Sequence, residues 1–177
     1  PFLQEMHIYS GAENFASQEF LAALEQGCVL TLNGSRYLLV EFPPVLPFRH
    51  FQSVIEKVVA TGYTPVIAHP ERYGAIQKDP LRIEQFEQMG CVIQVNADSI
   101  KGGSGSRARK CSRSLLQSGG VDVIASDGHR LRWRPPNLGG VLGRLEEEYT
   151  KDDIAGWLVE NPGRILANKR LVSAVAS

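Results

Sequence analysis

Along this chain, apolar runs of strand length alternate with stretches whose apolar residues recur every three or four positions. Residues 2–9 alternate weakly and predict a strand with Glu5 inside it. Ser17 is a suitable N-cap for a helix with Phe20, Leu21 and Leu24 on one face, ended by Gly27. The β-rich runs 28–32 and 37–42 are joined by Asn33-Gly34-Ser35-Arg36, and an Asn-Gly pair between such runs predicts a hairpin. Pro43-Pro44 stops the second run. A helix over 48–60 follows, with Phe51, Val54, Ile55, Val58 and Val59 on one face and Gly62 closing it. Next come a buried strand over 65–68, a helix opened by Pro80 and ended by Gly90, and a strand over 92–95. The Gly- and Ser-rich stretch 97–106 reads as a loop, 107–116 as a basic helix and 121–125 as a strand. Helices over 138–149, 152–159 and 164–167 close the chain. From Tyr63 onward strands and helices alternate with short connections, which predicts right-handed βαβ units and a parallel sheet or barrel.

Two of these strands end in an abrupt change of chemistry. Val66-Ile67-Ala68 runs into His69-Pro70-Glu71-Arg72, and the 121–125 run continues into Ser126-Asp127-Gly128-His129. Ligands of α/β sheets sit just beyond the carboxyl ends of the strands. Asp127 and His129 are two residues apart, so both can point to one side of an extended segment. With His69 and a further carboxylate they would form a mixed nitrogen and oxygen donor set suited to Mn, Fe or Zn. The rival reading has Asp127 capping the next helix and His129 at the surface. The second, equivalent strand end at His69 favours a shared site. Glu5 by itself reads equally as a solvated strand residue, and His7 and His50 show no partner pattern. Arg72, Arg130, Arg132 and Arg134 lie near the two strand ends, where a planar guanidinium can grip a phosphate with two bonds; solvated loop charges are the alternative. Arg107, Arg109, Lys110 and Arg113 form either a solvated helix face or a docking face for an acidic partner.

The 177 residues suit one domain spanning 1–177, with 43% hydrophobic and 21% charged residues, ordinary for a globular protein. The formal net charge of zero argues against nucleic acid as a partner. No apolar run reaches the roughly 20 residues of a membrane span, and the expectation is a chain without a signal peptide. The three scattered cysteines, Cys28, Cys91 and Cys111, fit a reduced, cytoplasmic setting. Cys28 and Cys91, each after a Gly, read as buried small hydrophobes. None sits in a C-x5-R phosphatase loop.

Four motifs, in order and at consistent spacing, carry a resemblance: Q-E-x-x-I-Y at 4–9, L-N-G-S-R-Y-L-L-V-E-F-P at 32–43, A-H-P-E-R at 68–72 and S-D-x-H at 126–129. Together they resemble the bacterial protein-tyrosine phosphatases of the PHP (polymerase and histidinol phosphatase) type that accompany capsular and exopolysaccharide operons. The resemblance implies an α/β fold, a PHP-type distorted (β/α)7 barrel. It implies a cluster of two or three metal ions, usually Mn2+ with Fe or Zn as alternatives. The implied substrate and partner is a phosphotyrosine-bearing bacterial tyrosine kinase. Carried over, Glu5 would be the bridging carboxylate, and His69, Asp127 and His129 further metal ligands. Arg72 would hold the phosphate with Arg134 assisting. Such enzymes open with a strand bearing H-x-H, and a second strand end adds another His. Neither motif is in this chain, so the expectation is the C-terminal two-thirds or so of the domain, with the barrel incomplete because its first strands and helices are absent. Two rival expectations follow: a remnant that binds the kinase without hydrolysis, and a PHP-type phosphatase for a small monoester such as histidinol phosphate.

Overall fold

Five short strands carry the site: β1 (Glu13–Phe15), β2 (Tyr37–Glu41), β3 (Thr64–Ala68), β4 (Val92–Asn96) and β5 (Val123–Ala125). The structure is a computed structural model that describes residues 7–132 and 134–171. All neighbouring strands pair in parallel, and their order in the sheet is their order in the chain. Between them run α1 (Gln18–Glu25), α2 (Phe48–Ala60), α3 (Gly74–Lys78), α4 (Ile83–Gln88), α5 (Ala97–Lys101) and α6 (Ser106–Gln117). After β5 come α7 (Gly139–Glu146), α8 (Lys151–Ala155) and α9 (Asn161–Leu166), the last two joined by a π-helical stretch, Gly156–Glu160. Crossovers of one hand that never reverse direction put the connecting helices α1–α6 on one face of the sheet.

The period-2 alternation of each strand divides the sheet into two faces. Leu38, Val40, Ile67, Ile93, Val95 and Ile124 point into the large helix-covered core. There they meet Phe51, Ile55 and Val58 of α2, Phe86 of α4 and Leu115 of α6. Tyr37, Val66, Val92 and Val123 point the other way, into a smaller cluster completed by Ile165 of α9. The segment after α9 is strapped across the amino end of β2. There Asn33 donates to the Leu166 carbonyl (3.1 Å), the Arg36 backbone N–H to Asn168 Oδ1 (2.9 Å) and the Tyr37 hydroxyl to the Lys169 carbonyl (2.6 Å).

Several local expectations change. Residues 7–9 are not strand, and residues 1–6 lie outside the described residues. The expected hairpin is absent: 28–31 is irregular, and Leu32–Gly34 is a short 3-10 turn. Asn33 and Gly34 do take the left-handed conformation (φ 52° and 65°) for which such a pair is suited. They use it to lead the chain from α1 into β2, which pairs in parallel with β1, not with 28–32. The stretch 97–106 contains α5, closed by Gly102 at φ 98°, before α6 begins. Cys91 and Cys111 are buried, and burial pushes both thiols up to about 12, but Cys28 is exposed. No helix among the described residues is long and apolar enough to cross a membrane.

Candidate metal centre

On the inner face the strands turn from apolar to polar toward their carboxyl ends. The face reads Tyr37, Leu39, Glu41 along β2, then Val92, Gln94, Asn96 along β4, then Val123, Ala125, Asp127 along and beyond β5. The apolar part lines a cavity of about 390 Å3 bounded by Leu32, Leu39, Val66, Val123 and Ile165. The polar part forms the rim above it. Glu13 joins the rim from β1, where the register sets it beside Leu39 and Phe15 beside Glu41. Five strands spaced about 4.8 Å apart would, if flat, hold the outer two roughly 19 Å apart. Yet ligand atoms of Glu13 on β1 and of Asp127 and His129 after β5 lie within 4.8 Å of one another. The sheet therefore curls strongly, bringing its first and last strand ends together.

Two donor groups share Glu13: Glu13, Glu41 and His69 form one, and Glu13, Asp127 and His129 the other. His69 is buried, and its Nε2 lies 3.5 Å from Glu13 Oε1 and 3.3 Å from Glu41 Oε1. Among the described residues neither glutamate has a lysine or arginine within ion-pair distance. Two carboxylates gathered around one imidazole edge, with no cation between them, suit a hard divalent ion. Among the described residues His69 Nδ1 is buried without a hydrogen-bond partner, and the packing around the ring contributes to its orientation. Tyr73 meets it edge to face at 5.8 Å. The Tyr73 hydroxyl also accepts from Phe42 N–H (3.0 Å) and donates to the Ala68 carbonyl (2.6 Å), fastening the ends of β2 and β3 beside Glu41 and His69. Burial raises the pKa of that phenol, which keeps it a donor.

The second group centres on Asp127, whose side chain is 8% exposed. Its Oδ2 accepts from Asn96 Nδ2 (2.6 Å), forms an ion pair with Arg72 Nη1 (3.6 Å) and is also met by Arg134 Nη2. Its Oδ1 lies 3.3 Å from His129 Nδ1. Arg134 reaches back because the chain doubles over after the strand: His129 N–H and Arg130 N–H both donate to the Arg134 carbonyl. His69 and Asp127 both hold the left-handed backbone conformation, at φ 35° and 51°. His69 does so directly before Pro70, where helical conformations are further disfavoured. Strain at two non-glycine residues that aim side chains at one point marks a functional rim.

Beneath this rim lies Glu71, fully buried. Its Oε1 accepts from the Asn96 backbone N–H (3.2 Å). Burial raises its pKa, opposed first by the Ser99 hydroxyl beside it.

The structure thus brings together His69, Asp127, His129, Arg72 and Arg134. Glu5 lies outside the described residues, and the carboxylate common to both groups is Glu13. Sequence reasoning passed over Glu13 and Glu41. Glu41 has the usable signal: a glutamate ending an apolar run, as His69 and Asp127 follow theirs. Glu13 lies in a strand of three residues with no periodic signature.

The capsular polysaccharide synthesis family CpsB/CapC matches residues 2–167, and the chain belongs to that family. Tyrosine-protein phosphatase CpsB of Streptococcus pneumoniae is 31% identical over 170 residues, covering 93% of this chain and 70% of that protein. Tyrosine-protein phosphatase YwqE of Bacillus subtilis is 28% identical over 166 residues, covering 94% and 65%. A chain from the crystal structures of YwqE and CpsB, described there as unique metal-dependent tyrosine phosphatases, superposes with a TM-score of 0.83. It is 27% identical, and the match covers 94% of this chain and 67% of that one.

Proposed function

We propose that this chain is a metal-dependent protein-tyrosine phosphatase acting on a tyrosine kinase of capsule or exopolysaccharide synthesis. The observation that supports this most is the pair of donor groups hinged on Glu13. In this reading Glu13 takes the bridging role that the sequence resemblance lent to Glu5, and Glu41, His69, Asp127 and His129 complete the ligands. Carboxylate oxygens with imidazoles suit Mn2+, with Fe or Zn as alternatives. The curled parallel sheet is then part of the wall of a distorted (β/α)7 barrel.

Bound divalent ions would supply Lewis acidity toward the phosphoryl group and acidify a water for in-line attack. The residues do the rest. Three carboxylates against two guanidinia leave the rim negative, which repels a phosphate until cations reverse the sign. Arg72 and Arg134, half-exposed on Asp127, stand at the edge where the non-transferring phosphate oxygens arrive. Their paired N–H groups can swing from that carboxylate to those oxygens and stabilise charge there. Glu41 and His69 are held by the Tyr73 clasp, so their positions do not depend on substrate.

The test is phosphate release from a phosphotyrosine peptide with added Mn2+, with EDTA and with His69→Ala, and histidinol phosphate as competing substrate. Release that needs Mn2+, falls away in His69→Ala and prefers the peptide is the expected result. Equal turnover with EDTA removes the metal from the reading, and faster turnover of histidinol phosphate changes the substrate.

A further inference from the structure

We propose that Asn96 is a positioning residue: its side-chain amide is the fixed, neutral clamp that keeps Asp127 aimed at the ion site when the arginines leave it for substrate. The proposal rests on the metal-dependent reading above. Asn96 ends β4 and is 2% exposed, directly below the rim. Three bonds fix it. Its backbone N–H donates to Glu71 Oε1 (3.2 Å). Its Oδ1 accepts from Gln94 Nε2 (2.9 Å), also buried. Its Nδ2 donates to Asp127 Oδ2 (2.6 Å).

The acceptor-only carboxylate of Asp127 decides the orientation, and the Gln94 bond completes it. An amide has one accepting and one donating end. With Oδ1 committed to the Gln94 donor, only the N–H end faces Asp127, as a carboxylate requires. Reversing the amide would set oxygen against oxygen and nitrogen against nitrogen.

The three partners of Asp127 Oδ2, two hydrogen-bond donors and the Arg72 ion pair, are not equivalent. Arg72 and Arg134 each have 38% exposed side chains. They are half-exposed cations whose other preferred partner is a phosphate oxygen. As they turn to a bound phosphate, Oδ2 loses both. Asn96 is neutral and buried, and it cannot follow them. It keeps Oδ2 occupied, so Oδ1, on the side of His129 at 3.3 Å, remains the oxygen offered to an ion. Without the clamp the carboxylate is free to rotate or to present both oxygens. Residue 127 is already held at φ 51°, so the side chain, not the backbone, is where that freedom would appear.

The test compares Asn96→Ala, Asn96→Leu and Gln94→Leu with the wild-type chain, all as the full chain. Mn2+ binding is measured by calorimetry without substrate, with the visible spectrum of the Co2+-loaded chain and the melting of the metal-free chain alongside. Asn96→Ala is expected to weaken Mn2+ binding by about 10–100-fold, the scale seen when an outer partner of a metal ligand is removed. It should also shift the Co2+ spectrum, which a purely structural role would leave alone. Gln94→Leu loosens the clamp but keeps the Nδ2 donor, so its loss should be clearly smaller. Asn96→Leu matches the volume of the amide without its donors and should resemble Asn96→Ala; if it does not fold, Asn96→Ala decides. Wild-type affinity and spectrum in Asn96→Ala overturn the clamp, as does an equal loss in Gln94→Leu. A wild-type chain that takes up no Mn2+ overturns the metal reading, and the clamp with it.

Discussion

The two faces of the sheet are built from alternate residues of the same strands, yet they obey different rules. The helix-facing side is apolar along β2 to β5, and Leu38, Ile67 and Ile93 are each 0% exposed against helices that leave no room. The inner side is apolar only at its amino end, lines an open cavity of about 390 Å3 and gives way to carboxylates and amides at its rim. Close packing belongs to the outer face, and chemistry belongs to the inner one. The inner face gives up burial because a rim of convergent charges cannot also be a filled core.

Adjacent residues of β3 test that contrast most strongly. Ile67 points outward and Val66 inward. Ile67→Ala is expected to destabilise by about 2–5 kcal/mol, because it opens a void in a filled core. Val66→Ala should cost only about 1–2 kcal/mol, the transfer of the lost carbons alone, because its wall already borders open space. Urea unfolding of both variants decides, and equal losses would erase the distinction between the faces. Arg72→Lys sharpens the contrast at the rim. A point charge replaces a fork, so turnover should fall by about 100-fold while the unfolding midpoint stays put. A matching loss of stability would make Arg72 part of the scaffold.

The smallest effect belongs to Asp122, at the amino end of β5 and far from the rim. Burial raises its pKa, against the opposing bond from Ile93 N–H (2.8 Å). The folded chain therefore holds this proton more tightly than the unfolded chain, where an aspartate titrates near about 3.9. The stability tied to it is present below that value and is lost as pH rises through the folded pKa. Asp122→Asn keeps an acceptor for Ile93 and never ionises. It should melt with the wild type in acid and above it at pH 8, and a gap independent of pH would refute the assignment.

Much of this was legible before the fold. The helix over 48–60 appears with those bounds because its apolar stripe is regular and Pro47 and Gly62 flank it. Ser17 caps α1 by accepting from Phe20 N–H (3.2 Å), as its place before the stripe implied. The run into His69 and the run into Asp127 both become strands whose ends meet. The failures share a cause. Asn33-Gly34 is turn chemistry, but which strands a turn joins depends on pairings elsewhere in the sheet. Ala97–Lys101 is one helical turn of weak local preference, held by its neighbours α6 and α7.

By itself, then, the sequence determined the alternation of strands and helices, the polarity of the strand ends and the family to which the chain belongs, because each is written in local spacing and residue type. Only the tertiary structure decided which carboxylates share the site. Glu13 and Glu41 become neighbours through the register of β1 on β2, and Glu13 meets Asp127 only because the sheet curls. Register and curvature are sums over every pairing in the sheet, and no single stretch of residues records them.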